Sequence, residues 1–179
     1  KLTYSLKRLQ KLEAGWDLKR TRTMDTKELY REILNEHNIN PNHKKDLEGS
    51  TISLNGVNPS CGDNITLNLK VSDGIISDGS FTGSGCAISQ ASVDMMLDLV
   101  IGKTEKEAVE LSENFMQMIK GSATEQQIES LDEAASLQDI SKMPARVKCA
   151  VLGWRTMKEC FDKNKDSAPG TNPECCPSH

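Results

Sequence analysis

Three cysteines and one aspartate stand in settings that could build a metal or sulfur site. Cys61 and Asp63 lie in Asn58-Pro59-Ser60-Cys61-Gly62-Asp63, Cys86 in Gly83-Ser84-Gly85-Cys86, and Cys149 in Pro144-Ala145-Arg146-Val147-Lys148-Cys149. Cys61 and Asp63, two residues apart just before a strand, are expected on one face of an extended backbone. Cys86 follows a glycine-rich turn and opens a helix, where unpaired N–H groups and the positive dipole end favour thiolate over thiol. Cys149 lies about one turn into another helix. Arg146, one turn earlier, and Lys148 are cations that stabilise a thiolate or steer an acidic partner. A lone cysteine at a helix start is ordinarily a small buried hydrophobe. Three thiols and a carboxylate together make a tetrahedral ligand set, for zinc or for an iron–sulfur cluster.

The remaining candidates are weaker. Cys160 follows Cys149 by eleven residues, about 16.5 Å along a continuous helix, too far to share one metal ion. Cys175, Cys176 and His179 sit in a tail rich in Pro, Ser and Asn, which offers no preorganised site. His37 and His43 flank the end of the first helix, from which they could approach the site, but solvent is the commoner place for such a histidine and is the expectation here. Paired CxxC motifs are absent, so this is no local zinc staple, and no histidine stands where it would serve a cysteine protease.

The elements that must position these residues are legible in outline. A helix is expected over about Asp25–Asn38, ended by Asn40-Pro41, then a short strand at Ile52 and Leu54. Ile65, Leu67, Leu69 and Val71 alternate with Asn64, Thr66, Asn68 and Lys70, the clearest strand in the chain. Ser72-Asp73-Gly74 turns it back into a third strand, Ile75 to Phe81. After Cys86 the pattern is helical. Ile88, Ala91, Met95, Met96, Leu99 and Val100 form one stripe, closed by Gly102. Thr104 and Glu107 form a capping box for a second helix carrying Ala108, Leu111, Phe115 and Met118. Residues 121–143 are polar and expected to be loop with short helical pieces. Pro144 then starts a last helix with Val147, Ala150, Val151, Trp154, Met157 and Phe161.

The 179 residues suit one domain, expected over 24–165, with a basic extension over 1–23 and a disordered tail over 166–179. Residues 1–23 hold seven Lys or Arg and two acids, so of the net charge of −4 the remainder carries −9. An acidic domain makes a poor nucleic-acid binder, and proteins are its expected partners. No apolar run approaches the roughly 18 residues of a membrane span, and residues 1–23 lack the apolar core of a signal peptide. The six cysteines therefore suit a reducing cytoplasm, where metal binding or catalysis outranks disulfides.

Pro59-Ser60-Cys61-Gly62-Asp63, Gly83-Ser84-Gly85-Cys86-Ala87-Ile88-Ser89, Met95-Met96, Ile101-Gly102-Lys103 and Pro144-Ala145-Arg146-Val147-Lys148-Cys149, in this order across about residues 25–162, resemble the SufU branch of the IscU-like iron–sulfur assembly proteins (the NifU N-terminal family). The IscU branch proper has histidine before its third cysteine, where this chain has Lys148. It also has fewer residues between its second and third cysteines than the 62, residues 87–148, found here. The resemblance implies an α+β fold, a small three-stranded antiparallel sheet with helices packed on one face. It implies that Cys61, Asp63, Cys86 and Cys149 bind one zinc, and that the protein is a zinc-dependent sulfurtransferase. Its sulfur would come from a SufS-type cysteine desulfurase and pass to downstream SUF assembly proteins. Zinc lowers the nucleophilicity of a bound thiolate, so one cysteine has to leave it to react. Cys61, in its glycine-flanked loop, is the natural one, and the resemblance implies that a partner histidine takes its place, with Arg146 helping the docked arrangement. Two alternatives stay open: a non-catalytic scaffold for a [2Fe–2S] cluster, and a purely structural zinc domain.

Overall fold

The computed structural model describes residues 26–165. The expected basic extension (1–23) and the expected tail (166–179, with Cys175, Cys176 and His179) lie outside the described residues. The chain divides into two units between Glu32 and Ile33. Helix α1 (Thr26–Ile39) crosses that boundary, and every later element belongs to the second unit.

Strands β1 (Ile52–Asn58), β2 (Asp63–Ser72) and β3 (Ile75–Ser84) form an antiparallel meander in the order β1-β2-β3. The period-two pattern of β2 explains its orientation: Ile65, Leu67 and Leu69 are buried on one face. Counting back along that row arrives at Asp63, so the strand delivers a carboxylate to the core side of the sheet, fully buried. The other face is polar and exposed, with Ser53 bonded to Asn68 and Asn55 to Asn64 and Thr66. Asp73 and Gly74, both at positive φ, make the two-residue turn between β2 and β3. Two strands outrun their expected limits: β1 continues from Leu54 to Asn58, and β3 continues from Phe81 to Ser84. Both extensions pair with β2, through Asn58 opposite Asp63 and Ser84 opposite Asn64.

Helix α2 (Ala87–Val100) is buried almost all round. Helix α3 (Glu105–Lys120) opens on the expected capping box: Thr104 Oγ1 accepts the Glu107 N–H at 3.2 Å, and Glu107 accepts the Thr104 N–H at 2.8 Å. Such a cap stabilises a helix by about 1 kcal/mol. Helix α4 (Glu125–Glu129) and a 3₁₀ helix (Asp132–Lys142) follow. The short helical pieces expected over 121–143 are thus present, but Leu131, Ala134, Leu137 and Ile140 are fully buried, so a segment expected to be polar supplies one wall of the core. Their spacing of three is the period of a 3₁₀ helix.

The single last helix expected from Pro144 is two. Helix α5 (Pro144–Ala150) stops at Val151, and α6 (Leu152–Lys165) starts after it. The Ser92 hydroxyl donates to the Ala150 carbonyl at 2.7 Å and accepts from the Trp154 indole at 3.1 Å, so α2 holds both sides of the break. Trp154 stacks on Phe115 of α3, centroids 4.4 Å apart, worth about 1 kcal/mol beyond burial. Close approach of α6 to β1 and α2 needs Gly56 and Gly153, since a Cβ at either would collide with Thr156 or Val93. Among the described residues no helix is long and apolar enough to cross a membrane.

His37 and His43, expected in solvent, are buried. His37 bridges Asp94 (2.8 Å) and Glu133 (3.0 Å), and His43 meets Asp98 at 2.8 Å. Asp94 also accepts the backbone N–H groups of Asn42 and His43, at 3.1 and 2.8 Å. Burial alone would lower the His37 pKa, but hydrogen bonds and charge from Asp94 and Glu133 raise it to about 9, so the ring is cationic at neutral pH. A raised folded pKa contributes stability that is complete below the ordinary 6.5 and lost as pH rises through about 9. Replacing His37 by Gln should cost roughly 2 kcal/mol at pH 6. In urea unfolding, the gap between variant and parent should shrink toward pH 10; a gap independent of pH would contradict the charged bridge.

Candidate metal centre

The site is built where the β1–β2 turn, the start of α2 and the end of α5 meet. Asp63, the first residue of β2, faces inward by strand parity. Its Oδ1 accepts the Cys86 N–H at 2.7 Å and lies 3.3 Å from the Ser89 hydroxyl, while its Oδ2 accepts the Asn58 amide at 2.9 Å. Burial would raise the Asp63 pKa. Hydrogen bonds from the Cys86 N–H, the Cys149 thiol, the Asn58 amide and the Ser89 hydroxyl hold it below the usual carboxylate value instead. Gly85 leaves room for this carboxylate, since a Cβ there would press on Ser89 and come within 3.2 Å of Asp63 Oδ1.

Cys61 reaches the same place by another route than expected. The backbone between Cys61 and Asp63 is not extended: Gly62 has φ +72°, and the N–H groups of Cys61 and Gly62 both donate to the Asn58 carbonyl. A tight turn, not strand parity, folds the exposed Cys61 back over the buried Asp63. Cys86 is the N-cap of α2, and its sulfur accepts the Ser89 N–H at 3.4 Å. Cys149 is fully buried near the end of α5. Its sulfur lies 3.2 Å from Cys61 Sγ and 3.4 Å from Asn58 Nδ2.

Ligand atoms of Cys61, Asp63 and Cys149 lie within 4.8 Å of one another. Cys86 falls outside that triplet, although it still acts on the Cys149 thiol. Burial first, then hydrogen bonds to Cys61, Asp63 and Cys86, push the Cys149 thiol far above its ordinary pKa. Two sulfurs and an ionised carboxylate so close call for protons or a cation between them. The three that meet, two sulfurs and one carboxylate oxygen, are donors of the type that a divalent metal such as zinc takes.

Arg146 is exposed on α5 and forms no ion pair among the described residues. Lys148, also exposed, reaches the Ser60 hydroxyl at 3.4 Å and so links α5 to the turn carrying Cys61. Asn58, Ser89 and this lysine contact add to the residues expected from sequence. The signal for Asn58 is its place opposite Asp63 at the mouth of a hairpin. Cys160 is buried on α6 outside the ligand group, although the break at Val151 removes the continuous helix that its expected distance from Cys149 assumes. His37, Asp94 and Asp98 also bring ligand atoms within 4.8 Å. There both imidazole nitrogens already contact carboxylates, which is an ion-pair arrangement.

Residues 29–150 match the NifU-like N-terminal domain. The chain belongs to that family. As a NifU-like domain it is 39% identical over 140 residues to the iron–sulfur cluster assembly scaffold protein IscU of Streptococcus pyogenes serotype M1, covering 78% of this chain and 86% of that one. It is also 39% identical over 138 residues to the zinc-dependent sulfurtransferase SufU of Bacillus subtilis strain 168, covering 76% and 92%. The crystal structure of a NifU-like N-terminal protein from Brucella abortus superposes with a TM-score of 0.69 at 22% identity, over 80% of this chain and 100% of that one, a likeness of fold. The three-stranded sheet with helices is thus the NifU-like fold.

If these four side chains hold a metal, they tie three separate elements together, so its removal should destabilise the fold. Chelation should lower the melting temperature by roughly 10 °C, a few kcal/mol for a domain of this size. Metal uptake must expel the Cys149 proton, so affinity should fall as pH falls. Competition titrations with a chelator at pH 6 and 8 check the sign; equal affinities would contradict it.

Proposed function

We propose that this NifU-like domain is a zinc-dependent sulfur acceptor in iron–sulfur cluster assembly. It takes sulfane sulfur from the persulfide of a SufS-type cysteine desulfurase in a reducing cytoplasm and passes it to later assembly proteins. Cys61, Asp63, Cys86 and Cys149 would hold the zinc. The observation that carries the reading is the inequality of the three thiols: Cys149 is buried, Cys86 half-buried and Cys61 exposed on a turn.

Zinc, when bound, would keep the clustered thiols deprotonated and shield them from oxidation. The chain's own residues do the rest. Asp63 and Cys149 stay in the protein's interior, while the 59–62 turn can carry Cys61 outward without disturbing a strand. The Cys61 thiolate attacks the outer sulfur of the desulfurase persulfide. A new S–S bond forms to Cys61, the old one breaks, and its electron pair leaves with the desulfurase cysteine as thiolate. The transferred sulfur keeps its proton, so no outside oxidant or reductant is needed. Arg146 is exposed one turn before Cys149, and Met143, 47% exposed, lies at the same end of α5. Together they offer a cation and an apolar contact to a docking partner, and that is the role proposed for Arg146.

A second reading, a scaffold for a [2Fe–2S] cluster, is favoured by the name of the Streptococcus pyogenes relative. Lys148 argues against it, because an amine at that position removes an imidazole ligand.

Incubation with desulfurase and cysteine should add about 32 Da, one sulfur, to the peptide containing Cys61. Cys61→Ser should abolish stimulation of the desulfurase, whereas Cys86→Ser and Cys149→Ser should chiefly lose metal. Persulfide found only on Cys86 or Cys149 would defeat the assignment.

A further inference from the structure

The hydrogen bonds around the three sulfurs are unequal in a way that points to one further residue. Asn58 is 5% exposed, at the last position of β1 and directly opposite Asp63. Its side-chain nitrogen donates both to Asp63 Oδ2 at 2.9 Å and to Cys149 Sγ at 3.4 Å. Its side-chain oxygen accepts the Ser60 N–H at 3.3 Å. Its backbone carbonyl accepts the N–H groups of Cys61 and Gly62, at 3.2 and 3.0 Å. One buried residue thus holds two candidate ligands by its amide and the whole turn of a third by its acceptors.

Cys149 receives an N–H from Asn58, and Cys86 receives one from the Ser89 backbone. For Cys61 the described contact is the Cys149 thiol at 3.2 Å. An N–H donated to a thiolate stabilises its charge and withdraws the electron density with which it would attack. Two of the three sulfurs are damped in this way. To the third no N–H is donated among the described residues, its contact being the weaker S–H of Cys149, and it sits on the turn that pivots on Asn58.

We propose that Asn58 is a positioning residue that selects the reactive thiol: its amide fixes Asp63 and quiets Cys149, leaving Cys61 as the one that leaves the site and reacts. This rests on the sulfur-acceptor reading above and adds the residue that enforces it. The donor matters more than the bulk. Asn58→Leu keeps the number and branching of the side-chain heavy atoms but removes both donor and acceptor. Asn58→Asp keeps an acceptor for the Ser60 N–H and removes the donor.

The test uses the full chain, zinc-loaded, with iodoacetamide limiting and no desulfurase present, reading the alkylation rate of each cysteine by peptide mass spectrometry. In the parent protein Cys61 should react at least roughly ten-fold faster than Cys86 or Cys149, the scale of one charge-assisted hydrogen bond. In both variants the ratio of Cys149 to Cys61 should rise by about ten-fold while that of Cys86 to Cys61 stays put. A general loosening of the site would raise Cys86 along with Cys149, so that pattern overturns the proposal. Unchanged ratios in either variant, or a parent protein in which Cys61 is not the fastest, overturn it as well. So does loss of zinc or of the fold in both variants, since Asn58 would then govern binding or folding and not the choice of thiol. If the alkylation pattern is as expected but desulfurase leaves no sulfur on Cys61, the sulfur-acceptor reading fails and the role of Asn58 in thiol selection stands.

Discussion

A carboxylate with no access to water sits at the centre of the site, and most of the local structure follows from keeping Asp63 satisfied. Burying an ionised carboxylate costs several kcal/mol unless donors surround it. Here the donors come from different parts of the chain: the Cys86 N–H and the Ser89 hydroxyl at the start of α2, the Asn58 amide at the end of β1, and the Cys149 thiol on α5. Each of those partners is a candidate metal ligand or is bonded to one. The interaction that makes the buried charge tolerable therefore also sets the ligand geometry. It explains why Gly85 precedes Cys86 and why Asn, with two amide hydrogens, stands opposite Asp63.

Around that fixed centre the thiols form a gradient from buried Cys149 through half-buried Cys86 to exposed Cys61. The floor is rigid because α2 is anchored on both flanks. Asp94 ties it to His37 and to the backbone of residues 42 and 43, and Ser92 ties it to the α5–α6 break. The rim is a four-residue turn held by hydrogen bonds to Asn58 and by one long contact from Lys148. Such a division is what the proposed sulfur exchange at Cys61 would require.

The parts of the fold governed by a simple period were legible in the sequence. The alternation of Ile65, Leu67 and Leu69, the Asp73-Gly74 turn and the Thr104/Glu107 capping box all stand as read. Three of the four expected ligands, Cys61, Asp63 and Cys149, come together, Cys61 through a left-handed Gly62 instead of an extended segment, while Cys86 falls outside that group. What escaped was set by tertiary contact or by a less familiar period. Leu131, Ala134, Leu137 and Ile140 recur every three residues, which fits neither the α-helix nor the strand template, so the short helical pieces expected there give no sign of being buried unless a 3₁₀ period is sought. The break at Val151 carries no Gly or Pro at its own position; Ser92, far away in sequence, stabilises it. His37 and His43 look like surface histidines until α2 places Asp94 and Asp98 against them. Asn58, Ser89 and the Lys148–Ser60 contact are polar residues whose importance exists only once the hairpin and the helices meet.

The most direct measurement is the metal content of protein purified without added metal, with zinc, iron and acid-labile sulfide determined on the same sample. About one zinc per chain, with neither iron nor sulfide at stoichiometric levels, is expected of a set of three thiolates and one carboxylate. Iron and labile sulfide near two atoms each per chain, or per pair of chains, with no zinc, would contradict the sulfur-acceptor account and establish a cluster scaffold in its place.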